Sequence, residues 1–470
     1  MAETNLSSTS ALADWLRYLE TLHPTEIDLG LDRIREVAQR LELQVSYLTI
    51  TVGGTNGKGS TCAMLEAILS AAGYKVGLYS SPHLLRYNER IRVAQQEASD
   101  THITQQFARI EAARESLSLS YFEFATLAAL LLFEQAKVDV AILEVGLGGR
   151  LDAVNLVDAD CAIVTSIDID HEAYLGNTRE AVAFEKAHIF RPGRPAICAD
   201  PLPPDTLIAY AQKIDAPLWL LGKDFSYRGD AQQWVYRGHD QRNLALAYPS
   251  LRGVNQLLNA SAALAALEAL KPRLAVPMQA IREGLHRVHV PGRLQILPGT
   301  PQIILDVAHN PHAAAALAQN LAQMPTQGKT YAVLGMLNDK DVPSVLRHLL
   351  PSIDEWFVGG LESQPRGLSA DALKGLLDLA LQEASCHPHA DRVPTESSTG
   401  HTDHTPSVKI RVQQKDPLHV KVSACATVVE AFQHAQHIAT PPDRIVVFGS
   451  FATVGPILHY LNTAPTTALN

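Results

Sequence analysis

Residues 54–60, Gly-Thr-Asn-Gly-Lys-Gly-Ser, carry the densest chemistry in the chain. Closely spaced glycines let backbone N–H groups turn inward, and Lys58 adds a full positive charge, which together make a cradle for phosphate oxygens. The turn departs from the common G-x-x-x-x-G-K-[ST] loop. Val52 stands where its first glycine would be, and Gly59 separates Lys58 from Ser60. Residues 47–52 before it read as a strand, and residues 60–73 after it as a helix ending near Gly73. Strand, glycine turn and helix are the setting that a phosphate loop requires.

A phosphate cradle works with a metal, and ligands gather at the carboxyl ends of strands in a parallel sheet. Three residues follow strand-like runs in that way: Ser81 after 75–80, Glu144 within 138–146, and His171 just past 158–168. Singly they read as a turn serine, a strand-end carboxylate and a surface histidine. Together, at successive strand ends of one sheet, they point to Mg²⁺ beside the phosphates, although histidine is an unusual ligand for so hard a cation.

The elements that must position these residues alternate. Helices are expected at 11–22, 122–136 and 255–270, and strands at 47–52, 138–146 and 158–168, of which 138–146 is the most continuously apolar. Strands without polar alternation mean a mostly parallel sheet covered on both faces. Residues 201–250 mix polar and aromatic types and suit a short β-rich segment. Pro291 and Gly292 mark residues 290–297 as a linker. Beyond it the strand–helix pattern restarts. The expected fold is therefore α/β, with a phosphate-loop domain over 1–292 and a smaller Rossmann-like α/β domain over 293–470. Residues 384–420, rich in Pro and His, read as a loop insertion.

Bulk properties narrow the class. The 470 residues exceed what one core usually serves, which favours two domains. A net charge of −10 disfavours nucleic acid and anionic membranes as partners. Five widely spaced cysteines without C-x-x-C argue against a disulfide framework or zinc site and for a cytoplasmic location. The first twenty residues lack a signal-peptide pattern, and the longest apolar run, 125–133, is too short to span a bilayer.

Eight segments in chain order, GTNGKGS (54–60), YSSPHLLRYNERI (79–91), YFEFATLAAL (121–130), LEVGLGGRLDAVN (143–155), SIDIDH (166–171), EKAHIF (185–190), PGR (291–293) and DVAHNPHA (306–313), resemble the folylpolyglutamate synthases of the Mur ligase family. The likeness is greatest to the bacterial branch that also makes dihydrofolate. In that family the phosphate loop has the form G-T-x-G-K-G-[ST], which this turn fits residue for residue. The resemblance implies an ATP-dependent amide-forming ligase that adds L-glutamate to 7,8-dihydropteroate and to reduced folates through an acyl phosphate.

It also implies roles. Thr55, Asn56, Gly57, Lys58, Gly59 and Ser60 would bind the ATP phosphates, and Asn259 the adenine. Arg293 and Asp306 would reach ATP from the second domain. Ser81, Glu144 and His171 would hold magnesium, with two ions expected and a carbamylated Lys186 serving the second. On sequence alone Lys186 reads as an ordinary surface lysine. His309 resembles a histidine near the nucleotide and incoming amine, and Ser450 a residue near the incoming glutamate. Asp28, Leu29 and Gly30, Ser120, Tyr121, Phe122 and Glu123, and Leu151, Asp152 and Ala153 align with the dihydropteroate pocket. Phe122 either stacks on the pterin or packs its helix; Asp28 and Asp152 either bind pterin nitrogens or cap turns. The family pattern also implies a monomer.

Two features depart from it. His188 stands where the family has glycine, and 384–420 has no counterpart; its His387, His389, His401 and His404 lack metal-ligand spacing and read as a solvated loop. Three rivals remain: a phosphate-loop motor or switch that hydrolyses ATP without ligation, a Mur-type ligase with a cell-wall nucleotide as acceptor, and a non-catalytic relative. The first needs no DVAHNP segment, the second needs a further N-terminal domain, and the third is disfavoured by the intact Lys58, Glu144, His171 and Lys186.

Overall fold

The computed structural model describes residues 6–25, 27–230, 232–386 and 420–463. The chain divides into two units, Met1–Val290 and Pro291–Asn470, two residues before the boundary drawn from sequence.

The first unit is built on eight strands: β1 (Leu48–Gly53), β2 (Val76–Tyr79), β3 (Ile91–Val93), β4 (Gln96–Glu97), β5 (Val140–Glu144), β6 (Cys161–Val164), β7 (Ala196–Cys198) and β8 (Leu218–Leu220). Their order is β4-β3-β2-β5-β1-β6-β7-β8. From β2 to β8 every pairing is parallel, and β3 and β4 add an antiparallel edge. The central strands β1, β5 and β6 are buried along their whole length because both faces are covered. Val140 and Ile142 point to a core shared with the helices Lys58–Ala71, Gln256–Ala269 and Met278–Arg287. Ala141 and Leu143 point the other way, to the helices Leu12–Leu22, Asp32–Arg40, Asp100–Arg114 and Tyr121–Ala136. Successive side chains on a strand face opposite sides, so both parities must be apolar.

The β-rich expectation for 201–250 resolves into β8 and a three-stranded antiparallel sheet of β9 (Ser226–Gly229), β10 (Trp234–Arg237) and β11 (Asn243–Leu246). Trp234, Tyr236 and Leu246 seat this sheet on the core beside Gln256–Ala269.

The second unit holds β12 (Gln295–Leu297), β13 (Gln302–Leu305), β14 (Thr330–Leu334), β15 (Glu355–Gly359), β16 (Lys421–Cys425) and β17 (Arg444–Phe448), in the order β12-β13-β17-β14-β15-β16. All pairings are parallel except β12–β13. Two expectations need correction. Residues 290–297 are not wholly linker, because Gln295–Leu297 pairs with β13 and starts this sheet. Residues 384–386 are not loop but the end of the helix Ala370–Cys386. The remainder of the expected insertion, with His387, His389, His401 and His404, lies outside the described residues, apart from Val420. No helix among the described residues is long and apolar enough to cross a membrane.

Candidate active site

The sheet order decides where the reactive groups meet. β2, β5, β1 and β6 are neighbours, so their carboxyl ends lie side by side. Ser81 follows β2, Glu144 ends β5, the glycine turn follows β1, and His171 comes seven residues after β6. Val52 pairs with Glu144, and Gly53 with Val164, which fixes Glu144 one strand from the turn.

The turn is held rigidly from β6. Thr55 donates its backbone N–H to the Ser166 carbonyl (2.7 Å) and its hydroxyl to the Asp168 carbonyl (3.0 Å). The Asn56 N–H donates to Ser166 Oγ (3.0 Å), and Thr165 Oγ1 to the Asn56 carbonyl (2.7 Å). Thr165, Ser166 and Asp168 were not singled out from sequence; their signal was only the polar break after an apolar strand. Gly57 has φ +90°, and a Cβ there would collide with Asn259 Oδ1. Asn259 is thus packed directly against the turn. Lys58 curls back and donates to the carbonyls of Gly54 (3.0 Å) and Thr55 (3.2 Å), while starting the helix Lys58–Ala71. Gly59 and Ser60 lie in its first turn.

Ser81 and Glu144 are in contact, with the Ser81 N–H donating to Glu144 Oε2 (3.3 Å). Glu144 is only 3% exposed. His171 adopts a left-handed backbone (φ +53°) ahead of the short helix Glu172–Leu175; its N–H donates to Asp170 Oδ1 (2.8 Å), and its Nε2 lies 3.9 Å from that oxygen. Among the described residues no three His, Cys, Asp or Glu side chains cluster as a ready metal cage. A buried carboxylate in contact with a serine, one strand from a phosphate cradle, nevertheless fits Mg²⁺, which keeps waters and binds through few carboxylates plus substrate phosphates.

Lys186 overturns its surface reading. It is 4% exposed, on the helix Arg179–Ala187. Burial, reinforced by Lys58, pushes its amine down to about 7, against the pull of Asp170 and Asp152. Asp152 is itself pushed up to about 6 by burial, partly offset by backbone N–H donors. Its Oδ2 accepts from Leu147 N (2.8 Å) and its Oδ1 from Val154 N (3.0 Å), so it does cap a turn. Leu151 and Ala153 flank it, and Ala153 is buried.

Of the three segments that the resemblance assigns to dihydropteroate, 28–30 and 120–123 are joined through Arg33. Asp28 accepts from Arg33 Nη1 (2.7 Å) and His23 Nε2 (3.0 Å), next to Leu29 and Gly30. Arg33 Nη2 also reaches Glu123 Oε2 (3.3 Å). Ser120 and Glu123 cap the helix Tyr121–Ala136 reciprocally, Ser120 N to Glu123 Oε2 at 2.8 Å and Glu123 N to Ser120 Oγ at 3.3 Å. Phe122 lies against Gly146, where a Cβ would come within 2.6 Å of the ring, and beside Tyr79, at 5.7 Å between centroids. Sequence reasoning missed Arg33, and also Arg90, whose Nε donates to His83 Nδ1 (2.8 Å) while Tyr87 and Tyr121 flank its guanidinium. Burial first, and then Arg90, push His83 down to about 4.

In the second unit, β13 and β17 are neighbours, so the residues that follow them meet. The Gly449 N–H donates to the Ala308 carbonyl (3.0 Å). Asp306 is half-buried; Leu294 N donates to its Oδ2 and Ala308 N to its Oδ1, both at 2.8 Å. Burial raises its carboxyl, and Arg293 opposes that. The Arg293 guanidinium stacks over Phe451 at 5.2 Å. His309 Nδ1 donates to the Val307 carbonyl (2.8 Å), which fixes its tautomer. Ser450 Oγ accepts from Thr453 N (3.1 Å) and caps the helix Phe451–Thr463.

Comparison with known proteins agrees with this architecture. Residues 52–267 match the Mur ligase middle domain, and residues 292–451 the Mur ligase glutamate ligase domain. The dihydrofolate synthase/folylpolyglutamate synthase of Escherichia coli K12 is 49% identical over 367 residues, covering 78% of this chain and 85% of the relative. The solved structure of E. coli FolC in complex with DHPP and ADP superposes with a TM-score of 0.85 at 42% identity, covering 97% and 99% of the two chains. A bifunctional folylpolyglutamate synthase/dihydrofolate synthase with Mn, AMPPNP and L-glutamate bound superposes at 0.82 with 41% identity, covering 98% and 100%. Two matched domains and near full-length likeness place the chain in the Mur ligase family, in its dihydrofolate synthase/folylpolyglutamate synthase branch.

Proposed function

We propose that this chain uses ATP to join L-glutamate to the carboxylate of dihydropteroate, giving dihydrofolate, and to reduced folates, giving polyglutamates. The acceptor carboxylate attacks the γ-phosphorus of ATP; a new O–P bond forms and ADP leaves. The glutamate amine then attacks the acyl carbon, phosphate leaves, and the nitrogen gives up a proton as the amide forms. The observation that carries this reading is the strand order, in which the glycine turn with Lys58, the buried Glu144 and its neighbour Ser81 end three adjoining parallel strands.

Attack of one anion on another requires concentrated positive charge. Lys58 and the N–H groups of residues 57–60 are proposed to supply it to the triphosphate. Ser81, Glu144 and His171 are the proposed magnesium ligands, and the cation when bound neutralises phosphate oxygens. The Lys186 amine, lowered to about 7, has a substantial free-base fraction at neutral pH. Carbon dioxide adds to such an amine with loss of one proton, and the resulting carbamate can hold a second cation. Asn259, Arg293 and Asp306 are proposed for the nucleotide, and His309 and Ser450 for the incoming amine. Phe122, with Asp28 and the turn around Asp152, is proposed to receive the pterin. All five cysteines are unpaired, which suits a reducing cytoplasm.

The test is incorporation of labelled glutamate by purified protein with ATP and Mg²⁺, offering dihydropteroate and tetrahydrofolate in turn. Both should be extended. Incorporation with tetrahydrofolate alone removes the synthase half, and ATP hydrolysis without incorporation on either removes the ligase reading.

A further inference from the structure

We propose that Arg90 is the cation that receives the non-reacting α-carboxylate of a glutamate-bearing acceptor, and so sets the preference between folates and dihydropteroate. This rests on the ligase reading above. Arg90 lies where the segment after β2 returns into β3, and its backbone carbonyl accepts from the Ser80 N–H (2.9 Å). It is thereby tied to the residue preceding Ser81, which in turn touches Glu144. Its guanidinium carbon stands 5.5 Å from the Tyr121 ring centroid and 5.7 Å from that of Tyr87, and the two rings meet edge to face. Tyr121 opens the helix that carries Phe122. The Tyr79 phenol, packed on Phe122, feels both Arg90 and Asp152. The charge therefore sits between the proposed metal ligands and the proposed pterin wall.

What sets Arg90 apart is its lack of an anion. Arg33, Arg92, Arg114, Arg150, Arg179 and Arg191, the other part-buried arginines around this sheet, each pair with a carboxylate. Arg90 is half-buried and pairs with no carboxylate among the described residues. One of its five N–H groups goes to His83 Nδ1, a neutral acceptor; the terminal N–H groups donate to no described residue. A half-buried guanidinium set beside two tyrosine rings and oriented at Nε is a preorganised fork for a planar carboxylate. Dihydropteroate has one carboxylate, and it reacts. A folate monoglutamate reacts through its γ-carboxylate and brings an α-carboxylate that must be neutralised nearby.

The test compares three acceptors: tetrahydrofolate, its analogue with 4-aminobutyrate in place of glutamate, and dihydropteroate. The analogue keeps the reacting carboxylate and lacks the α-carboxylate. Arg90→Gln should raise KM for tetrahydrofolate about 10- to 100-fold, the value of one charge-assisted pair. Wild type should lose a similar factor on moving to the analogue, and Arg90→Gln should lose little more there. Equal losses on all three acceptors would mark Arg90 as structural and overturn the proposal, as would an unchanged KM for tetrahydrofolate. Should Arg90→Gln fail to fold, Arg90→Lys serves: a selective rise in KM for tetrahydrofolate supports the proposal, and a uniform one overturns it. Wild-type protein inactive with every acceptor would instead bring down the ligase reading, and this proposal with it.

Discussion

Replacing Lys186 by methionine tests both the burial of this residue and its proposed chemistry. The ordinary lysine value of 10.5 falls to about 7 in the folded chain. Between pH 7 and 10.5 the unfolded chain therefore binds the Lys186 proton more tightly than the folded chain does. Folding pays the full cost of burying the charge below pH 7, and the cost fades as pH rises toward 10.5. At about 1.4 kcal/mol per pH unit, the penalty is about 4 kcal/mol at pH 7 and about 2 kcal/mol at pH 9. Methionine has a similar length and no charge. The stability difference between Lys186→Met and wild type should thus shrink by about 2 kcal/mol from pH 7 to pH 9 in buffers free of carbon dioxide. Hydrogen exchange of the amides in Arg179–Ala187, corrected for intrinsic rates, reads that local free energy. A difference that stays constant across this range would mean that Lys186 keeps an ordinary value and has no free amine at neutral pH. Adding ¹³C-bicarbonate at pH 8 should then give wild type a carbamate signal that Lys186→Met lacks. Turnover should fall about 10- to 100-fold in the variant, as for other groups that orient a metal, while ATP binding persists. Unchanged turnover would reject the carbamate role.

Two further substitutions probe the supports of the site. Gly57→Ala places a side chain on a backbone with φ +90° and against Asn259, so ATP affinity should drop about 10-fold or more, read by calorimetry; an unaltered affinity would show that the turn does not need this conformation. Asp306→Asn leaves one of two backbone donors, Leu294 N or Ala308 N, facing an amide NH₂, and should lower unfolding free energy by about 1–3 kcal/mol in a denaturant titration; equal midpoints would refute that role.

The fold was readable where periodicity is enforced by burial. β1, β5 and β6 are buried at every position because each parity meets a different layer of helices, and that burial survives in the sequence as apolar-rich runs whose polar members are few, Thr49 and Thr51 in β1 and Glu144 at the end of β5. β12 and β16 were not seen, because each is an edge strand with one partner and incomplete burial, which leaves no distinctive period. The glycine turn was readable for a similar reason: glycine and lysine types are dictated by local backbone need. Spatial order is another matter. Nothing in the sequence says that β5 inserts between β1 and β2, yet that insertion is what brings Glu144 against Ser81. Burial of a cation is equally hidden. Lys186 has the composition of a surface helix around it, and only the packing of its helix beside Lys58, Asp152 and Asp170 strips its water. The same holds for Arg90, which differs from its neighbours only by the carboxylate it lacks. Groups whose role depends on a neighbour's charge thus become visible only when the strand order is known. In this chain those are the groups that would carry the electrostatic work of the reaction, since a cradle of amides binds phosphate alike in a motor and in a ligase.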